Sequence, residues 1–477
     1  MRVLLIQPPE NKFSIAPGRL EPLGLEVLAA CIPNHEVQII DLRVDSFSEL
    51  NRQLTLFSPD VVGISVNSTI HVIEARALLR HIREKHPRAI TVVGGHHPTM
   101  IPQDFHLPTV DFIFLGWAEK SFPAFLESLK KGKDFNGVEG LEMLENGSRV
   151  FRSESPFNLK ASEIPYPRRD LVKKYLKSYR SDSFMPTGLV NTTRGCANRC
   201  TFCSVWRSSG GQVVIRQPED VFYEIASLPK GVKHVFFADD NSFLRPDYQQ
   251  KLGELIREKG IRLKYSGYCR SDTITRHPEL MAQWKEIGLE NLCVGFEGTD
   301  DATLEALNKR NAIGSNEGAA RILNRLGIRF RPHFLIQPSF EQADFDRLKA
   351  YVHRLRLDSP IFPILTPIPG TESYEESREH IILDYHYFDY AHAVTQTRMP
   401  VRRFYQSWIA LYLSCYSFQV TLGHFFKKQM GKLLGNPQIK DENHHMEIRK
   451  LFLLRLASII LKKKLKAHWH RVEKMGK

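Results

Sequence analysis

"NTTRGCANRCTFCSVW" (191–206) sets three cysteines, Cys196, Cys200 and Cys203, in a C-x3-C-x2-C spacing, with Phe202 directly before the last. The text leading into it, "GLVNTTRG" (188–195), opens as an apolar β-strand, so the thiols sit on a loop leaving a strand end. Thiolates are soft ligands that suit zinc or iron–sulfur clusters. A structural zinc would need a fourth ligand, a role left to His234 or a distant cysteine. Three thiolates on one short loop instead match three irons of a [4Fe–4S] cluster, with the fourth iron open to a substrate or cofactor. A lone C-x2-C pair says little. The full triplet at a strand end favours the cluster.

Downstream, strand and helix patterns alternate. Strand-like runs are "HVFFADDN" (234–241), "RLKYSGYCR" (262–270), "NLCVGFEG" (291–298), "IRFRPHFLIQP" (328–338) and "IFPILTPIPGT" (361–371), each preceded by an amphipathic helical pattern. With the strand before the cysteines this makes six βα units over 186–378, too few for a closed eight-stranded barrel. An open (β/α)6 partial barrel is predicted. Its strand ends carry Asp239, Asp240, Asn241, Arg270, Glu297 and Gln337, polar groups gathered at the face where a barrel's active site lies.

Upstream, residues 1–135 hold five short apolar strand runs, at 2–8, 36–42, 60–66, 89–95 and 111–116, separated by helical patterns. This predicts a doubly wound, Rossmann-like (flavodoxin-like) α/β unit, whose ligands bind beyond the carboxyl ends of the strands. "VVGGHHPT" (92–99) is such a strand end, where Gly94 and Gly95 let backbone approach a ligand. Residues 136–185, with the turn-like "EIPYPRRD", read as a linker containing a small hairpin. From 379 to 477 the text is aromatic and helical, including "YHYFDYAHAV", and ends in a basic tail.

The composition, 42% hydrophobic and 25% charged, is that of a globular protein, and no apolar run reaches the ~20 residues of a membrane span. The first residues lack a signal-peptide pattern, which predicts a cytoplasmic protein. In that reducing setting clustered cysteines point to metal rather than disulfides. The net charge of +13 concentrates near the C-terminus, and no basic run interleaved with aromatics lies in the body of the chain, which argues against nucleic-acid binding.

The cysteine triplet, "FFADDN", "YCRSD", "VGFEG" and "TPIPGT", taken with the glycine-rich N-terminal unit, resemble the radical SAM enzymes, and among them the cobalamin-dependent class. That resemblance implies a [4Fe–4S] cluster on Cys196, Cys200 and Cys203, with S-adenosylmethionine chelating the open iron. It places Phe202 by the adenine and makes Asp239, Asp240, Arg270, Glu297 and Gln337 candidate S-adenosylmethionine contacts. It implies cobalamin (as methylcobalamin) in the first unit, near Ser65, Gly94, Gly95, His96, Pro98, Thr99, Gly116 and Glu119. There are two departures. No D-x-H-x-x-G offers cobalt a histidine, and "GWAEKSF" (116–122) stands where many relatives have G-E-G-E, leaving Glu119 at the last acidic position.

The reaction implied is hydrogen abstraction from an unactivated carbon by a 5′-deoxyadenosyl radical, then methyl transfer from methylcobalamin. An electron donor such as flavodoxin or ferredoxin would restore the cofactors. "GRLEPLGLEVLAA" and "RPHFLIQPSF" are similar to hopanoid C-3 methylases, implying a lipid substrate. The basic tail would then give peripheral membrane contact. An anaerobic oxidative cyclase of the porphyrin-ester type, a methylase of another metabolite, and a non-catalytic corrinoid- or metal-binding regulator are the alternatives.

Overall fold

The computed structural model describes residues 1–11, 19–132, 134–154, 157–181 and 184–415. The basic tail and the later part of the C-terminal segment lie outside the described residues.

The five N-terminal strands form where the apolar runs predict them: β1 (Arg2–Gln7), β2 (Glu36–Asp41), β3 (Val61–Ser65), β4 (Ile90–Gly94) and β5 (Phe112–Phe114). All pair in parallel in the order β2-β1-β3-β4-β5, the flavodoxin-like winding whose switch point lies between β1 and β3. Helices α1 (Leu23–Ala30), α2 (Phe47–Leu56), α3 (Val72–Lys85), the short α4 (His96–Met100) and α5 (Ser121–Lys131) follow the strands. Ser46 caps α2 by accepting from the Glu49 N–H at 3.4 Å. Both faces of the sheet are covered, which explains unbroken apolar strands such as Val3–Ile6 rather than alternating ones.

The predicted hairpin appears as β6 (Leu141–Glu145) and β7 (Ser148–Arg152), and β6 pairs antiparallel to β5, so the first sheet has seven strands. Its turn is Asn146-Gly147, with φ of 49° and 81°, the positive pair a tight hairpin requires. The rest of 136–185 is not free chain. Val172, Tyr175 and Tyr179 pack into the core beneath the first sheet.

The second sheet runs β8 (Thr187–Val190), β11 (His234–Phe237), β12 (Lys264–Arg270), β13 (Leu289–Glu297) and β14 (Arg329–Phe334), parallel and in chain order. Between β8 and β11 stand the short antiparallel pair β9 (Thr193–Arg194) and β10 (Val214–Ile215), the short α6 (Val205–Ser208) and α7 (Pro218–Ala226). The sixth predicted strand joins β14 only through isolated parallel bridges, His333 to Ile361 and Ile336 to Ile364. Pro363 has no N–H to donate, so the ladder is interrupted there. The outer face packs on α8 (Pro246–Glu258), α9 (Ser271–Arg276), α10 (Pro278–Ile287), α11 (Asp301–Ala306), α12 (Ile313–Leu326) and α13 (Gln342–Arg354), around Trp284, Tyr265 and Phe237.

The C-terminal text divides. α14 (Glu372–Ser377) ends the barrel segment; beyond it α15 (Val401–Cys415) is helical and lies along α13 with Phe404, Tyr405 and Trp408 in the barrel core. Residues 385–394, expected to be helical, make one 3-10 turn (385–387) followed by a turn and bend over 388–392, with Tyr390 at φ +62°. Asp384 and Asp389 accept from the backbone N–H groups of His386, Ala391 and His392, local bonds that compete with a helix. Tyr385, Tyr387, Phe388 and Val394 instead enter the core of the first sheet.

The two sheets also meet directly. Leu23 and Val27 of α1 pack on Leu189 of β8 and Phe236 of β11. Beside them Glu21 accepts from the Leu189 N–H at 2.6 Å and pairs with Arg169, which also holds Glu224 of α7 at 2.7 Å.

Candidate active site

The cysteine loop is set by the end of β11. Asp239 is buried and accepts from the Thr192 N–H (2.7 Å), the Thr193 N–H (2.9 Å) and the Thr192 hydroxyl (2.7 Å). Burial pushes its carboxyl up to about 7 against the pull of those bonds. Asp240 accepts from the Gly195 N–H at 3.1 Å. Gly195 has φ +81°, and a Cβ there would lie 2.1 Å from the Gln212 carbonyl oxygen, so glycine is required where the chain turns into Cys196. Asp239 thus anchors the loop with both oxygens, while Asp240 faces a cavity.

Cys200 is buried and Cys196 and Cys203 half-buried. Burial holds the Cys203 thiol up at about 12 and raises Cys200 as well, and the charge of each neighbouring cysteine adds to the shift at Cys203. Such thiols become ligands by releasing their protons to solvent as a metal binds. Among the described residues no three His, Cys, Asp or Glu side chains converge as a single ion demands. His234, the alternative zinc ligand, is bonded to Thr187 (3.2 Å) and Ser266 (2.8 Å) at the opposite end of its strand from the loop. Three neighbouring thiols that do not close on one point fit a cluster, in which each sulfur takes its own iron.

Glu297, Lys309 and Arg270 stand close enough to Cys200 to act on its thiol, Lys309 and Arg270 lowering and Glu297 raising it, all secondary to burial. Glu297 ends β13 at a bulge with φ +61°, an unfavourable conformation for a non-glycine residue that often marks a functional site. Its carboxylate meets Lys309 Nζ at 2.7 Å, both side chains about 8% exposed. Arg270 is bonded to Asp272 (2.9 Å) and to the carbonyls of Lys309 (2.8 Å) and Arg310 (3.2 Å). The Asn308 amide reaches the Arg199 carbonyl at 2.6 Å, and the Thr201 N–H reaches that of Leu307 at 3.2 Å. The 307–310 segment is therefore laced to the cysteine loop. Lys309 was not singled out in the sequence; its only signal is the basic pair in "LNKRN", twelve residues after Glu297. Phe202 is half-buried on the loop, and Gln337 lines a separate cavity near the end of β14.

In the first domain a cavity of about 180 Å³ opens at the switch point, lined by Ser65, Gly94, Gly95, Gly116 and Glu119 over an apolar floor including Leu28 and Phe114. Gly95 has φ +110°, and a Cβ there would come within 2.9 Å of the Val66 carbonyl oxygen and 2.8 Å of Asn67 Oδ1. Thr99 ties this wall together, donating to the Gly95 carbonyl (2.8 Å) and accepting from the Gly116 N–H (2.9 Å). Pro98 is buried within α4. This glycine-walled cradle fits part of a corrinoid's nucleotide tail.

A second cavity, of about 190 Å³, adjoins the cysteine loop and is lined by His96, Asn191, Gly195 and Asp240. Trp117 and Arg194 line both cavities, and Arg194 is ion-paired to Glu119. His96 Nε2 lies 2.7 Å from the hydroxyl of Ser204, next to Cys203, and burial holds the ring neutral, at about 4. The glycine loop and the cysteine loop thus share a wall. His97, its neighbour, is instead fixed between Thr69 (3.0 Å) and Asp104 (2.8 Å).

Residues 15–126 match the B12 binding domain and residues 190–337 the Radical SAM superfamily. The hopanoid C-3 methylase of Methylococcus capsulatus is 28% identical over 94% of this chain and 84% of its own. An anaerobic magnesium-protoporphyrin IX monomethyl ester cyclase of Synechocystis is 27% identical over 86% of this chain and 84% of its own. Among solved structures the fold is shared with the cobalamin-dependent S-adenosylmethionine radical enzyme OxsB, solved with aqua-cobalamin and S-adenosylmethionine, at TM-score 0.70 and 15% identity over 99% of this chain and 71% of that one.

Proposed function

Given that the chain belongs to the cobalamin-dependent radical SAM enzymes, we propose that it methylates an unactivated carbon of a hopanoid-type lipid. The cluster with S-adenosylmethionine supplies a hydrogen-abstracting 5′-deoxyadenosyl group, and cobalamin supplies the methyl. The observation that carries the reading is the shared wall: His96–Ser204, Trp117 and Arg194 join the glycine cradle to the loop of Cys196, Cys200 and Cys203.

In this reading the three cysteines hold the cluster, with Cys200 on its buried side and Cys196 and Cys203 half-buried. Glu297, Lys309 and Asp240 face the open side and orient the amino acid and ribose portions of S-adenosylmethionine, with Phe202 beside the adenine. A lysine such as Lys309 suits a carboxylate as a compact charge. Asp239 and Arg270 position the two loops that do this. Ser65, Gly94, Gly95, Gly116 and Glu119 hold the corrinoid tail. Electrons come from a small one-electron donor of the flavodoxin or ferredoxin class. Among the described residues no helix is long and apolar enough to cross a membrane.

The test is anaerobic reconstitution with iron, sulfide and cobalamin, then incubation with methyl-labelled S-adenosylmethionine and hopanoid extract. Labelled lipid and 5′-deoxyadenosine are expected, and Cys200→Ala should abolish both. Cleavage at wild-type rate in Cys200→Ala would sink the radical assignment. Cleavage without labelled lipid would shift the reading toward the cyclase alternative, which the match over 86% of this chain to the protoporphyrin cyclase keeps open.

A further inference from the structure

Beyond the two cofactor cavities, a third and larger one, of about 480 Å³, opens at the carboxyl edge of the second sheet. Its walls are the chain that leaves β14 (337–339), the chain that leaves the sixth run (365–367), α14 and residues 395–398. The edge is the one from which the cysteine loop emerges. The Ser373 N–H donates to the Thr201 carbonyl at 3.2 Å, so this wall is one hydrogen bond from the residue next to Cys200. The Arg398 N–H donates to the Pro338 carbonyl at 3.0 Å and ties the outer wall to the β14 end.

The lining is unusual for a small-molecule site, where apolar side chains normally dominate. Hydroxyls and primary amides prevail here: Gln337, Ser339, Ser373, Thr395, Gln396 and Thr397. Each hydroxyl both donates and accepts, and each amide offers two donors and an acceptor. Charge is nearly absent. The Arg398 guanidinium is held by Glu341 at 2.9 Å, and Glu376 is the acid on the wall. Arg398 and Glu376 set one positive and one negative charge on the wall, so an anionic group would gain little net attraction there. Leu365, Pro338 and Pro367 add small apolar surfaces that suit the C–H face of a carbohydrate. A purely hydrocarbon ligand would strip water from these polar groups without replacing its hydrogen bonds, which is costly.

We propose that this cavity binds a neutral polyhydroxylated group, a polyol or sugar-like portion of the methyl acceptor, and so holds the acceptor beside the cysteine loop. The identification of the ligand as the acceptor rests on the methyltransferase reading; the chemistry of the cavity does not.

The test is saturation-transfer NMR on the full chain reconstituted with cluster and cobalamin, using ribitol and myo-inositol as probes, with cyclohexanol and glucose 6-phosphate as contrasts. Transfer to ribitol or inositol is expected, with little to cyclohexanol. The double variant Ser339→Val/Gln396→Leu, checked for wild-type iron and cobalamin content, should bind about tenfold more weakly. Equal transfer to cyclohexanol, stronger binding of glucose 6-phosphate, or polyol binding untouched by the double variant would each overturn the assignment. Cleavage of S-adenosylmethionine by the wild-type protein is measured on the same sample. Its absence would refute the radical reading while the NMR still reports on the cavity.

Discussion

Replacing Glu26 by leucine should make the protein more stable at neutral pH. Three acids, Glu21, Glu26 and Glu224, meet two arginines, Arg169 and Arg216, where α1 abuts the second sheet. Glu21 and Glu224 pair with Arg169 at 3.4 and 2.7 Å, and Glu224 with Arg216 at 2.5 Å. That leaves Glu26 as the odd acid. It is 0% exposed, and neither carboxylate oxygen meets a donor. Burial first, then the charge of Glu21, raises its pKa well above the ordinary carboxylate range.

A buried polar group without partners costs about 1–3 kcal/mol. Leucine is of similar size and removes that cost, so Glu26→Leu should gain on the order of 1–3 kcal/mol. Glu26→Gln keeps an unpartnered amide but takes up no proton on folding, so it should gain little at about pH 4 and progressively more as pH rises. Because the folded pKa is raised, the folded chain retains a proton that the unfolded chain gives up above about 4.3. The contribution of Glu26 is therefore full below that value and declines as pH rises toward the folded pKa. Urea unfolding between pH 5 and 8 should show a steeper fall for wild type than for Glu26→Gln. A leucine variant less stable than wild type, or identical slopes in the two proteins, would refute the reasoning.

Three further outcomes follow from the site. Gly195→Ala forces alanine to φ +81° against the Gln212 carbonyl; the left-handed backbone alone costs about 1–2 kcal/mol, and iron and sulfide content after reconstitution should drop. Gly95→Ala drives a methyl into the Val66 carbonyl, and cobalamin titration should show weakened binding while the cluster loads normally. Lys309→Met leaves Glu297 buried and unpaired at a cost of about 3–5 kcal/mol, and thermal unfolding should show most of it restored in Lys309→Met/Glu297→Gln.

Strands such as Val3–Ile6 and Val235–Phe237 were legible because each is a short apolar run covered on both faces. The cysteine triplet was legible because its spacing is local. Lys309 was not, because it reaches Glu297 only through a reversal in which Asn308 and Arg310 both take positive φ, common for asparagine but not announced by arginine. The stretch 385–394 misled for a related reason. Its aromatics satisfy a helical pattern, but Asp384 and Asp389 turn the backbone locally, and the rings find partners hundreds of residues away. The sixth strand was placed correctly in sequence, yet its prolines thin the ladder that defines a strand.

That long return has a consequence for how the protein can be divided. Asn11 near the start donates to the His386 carbonyl at 3.3 Å, and Tyr385, Phe388 and Val394 complete the hydrophobic interior of the first sheet, whose strands lie between Arg2 and Arg152. The corrinoid half therefore cannot finish folding until the barrel has been synthesised and the chain has come back to it. Contacts of such sequence separation slow folding. A fragment ending before residue 385 would expose an apolar surface where those rings belong. The two halves share one hydrophobic interior, closed by a segment that is translated after the barrel strands.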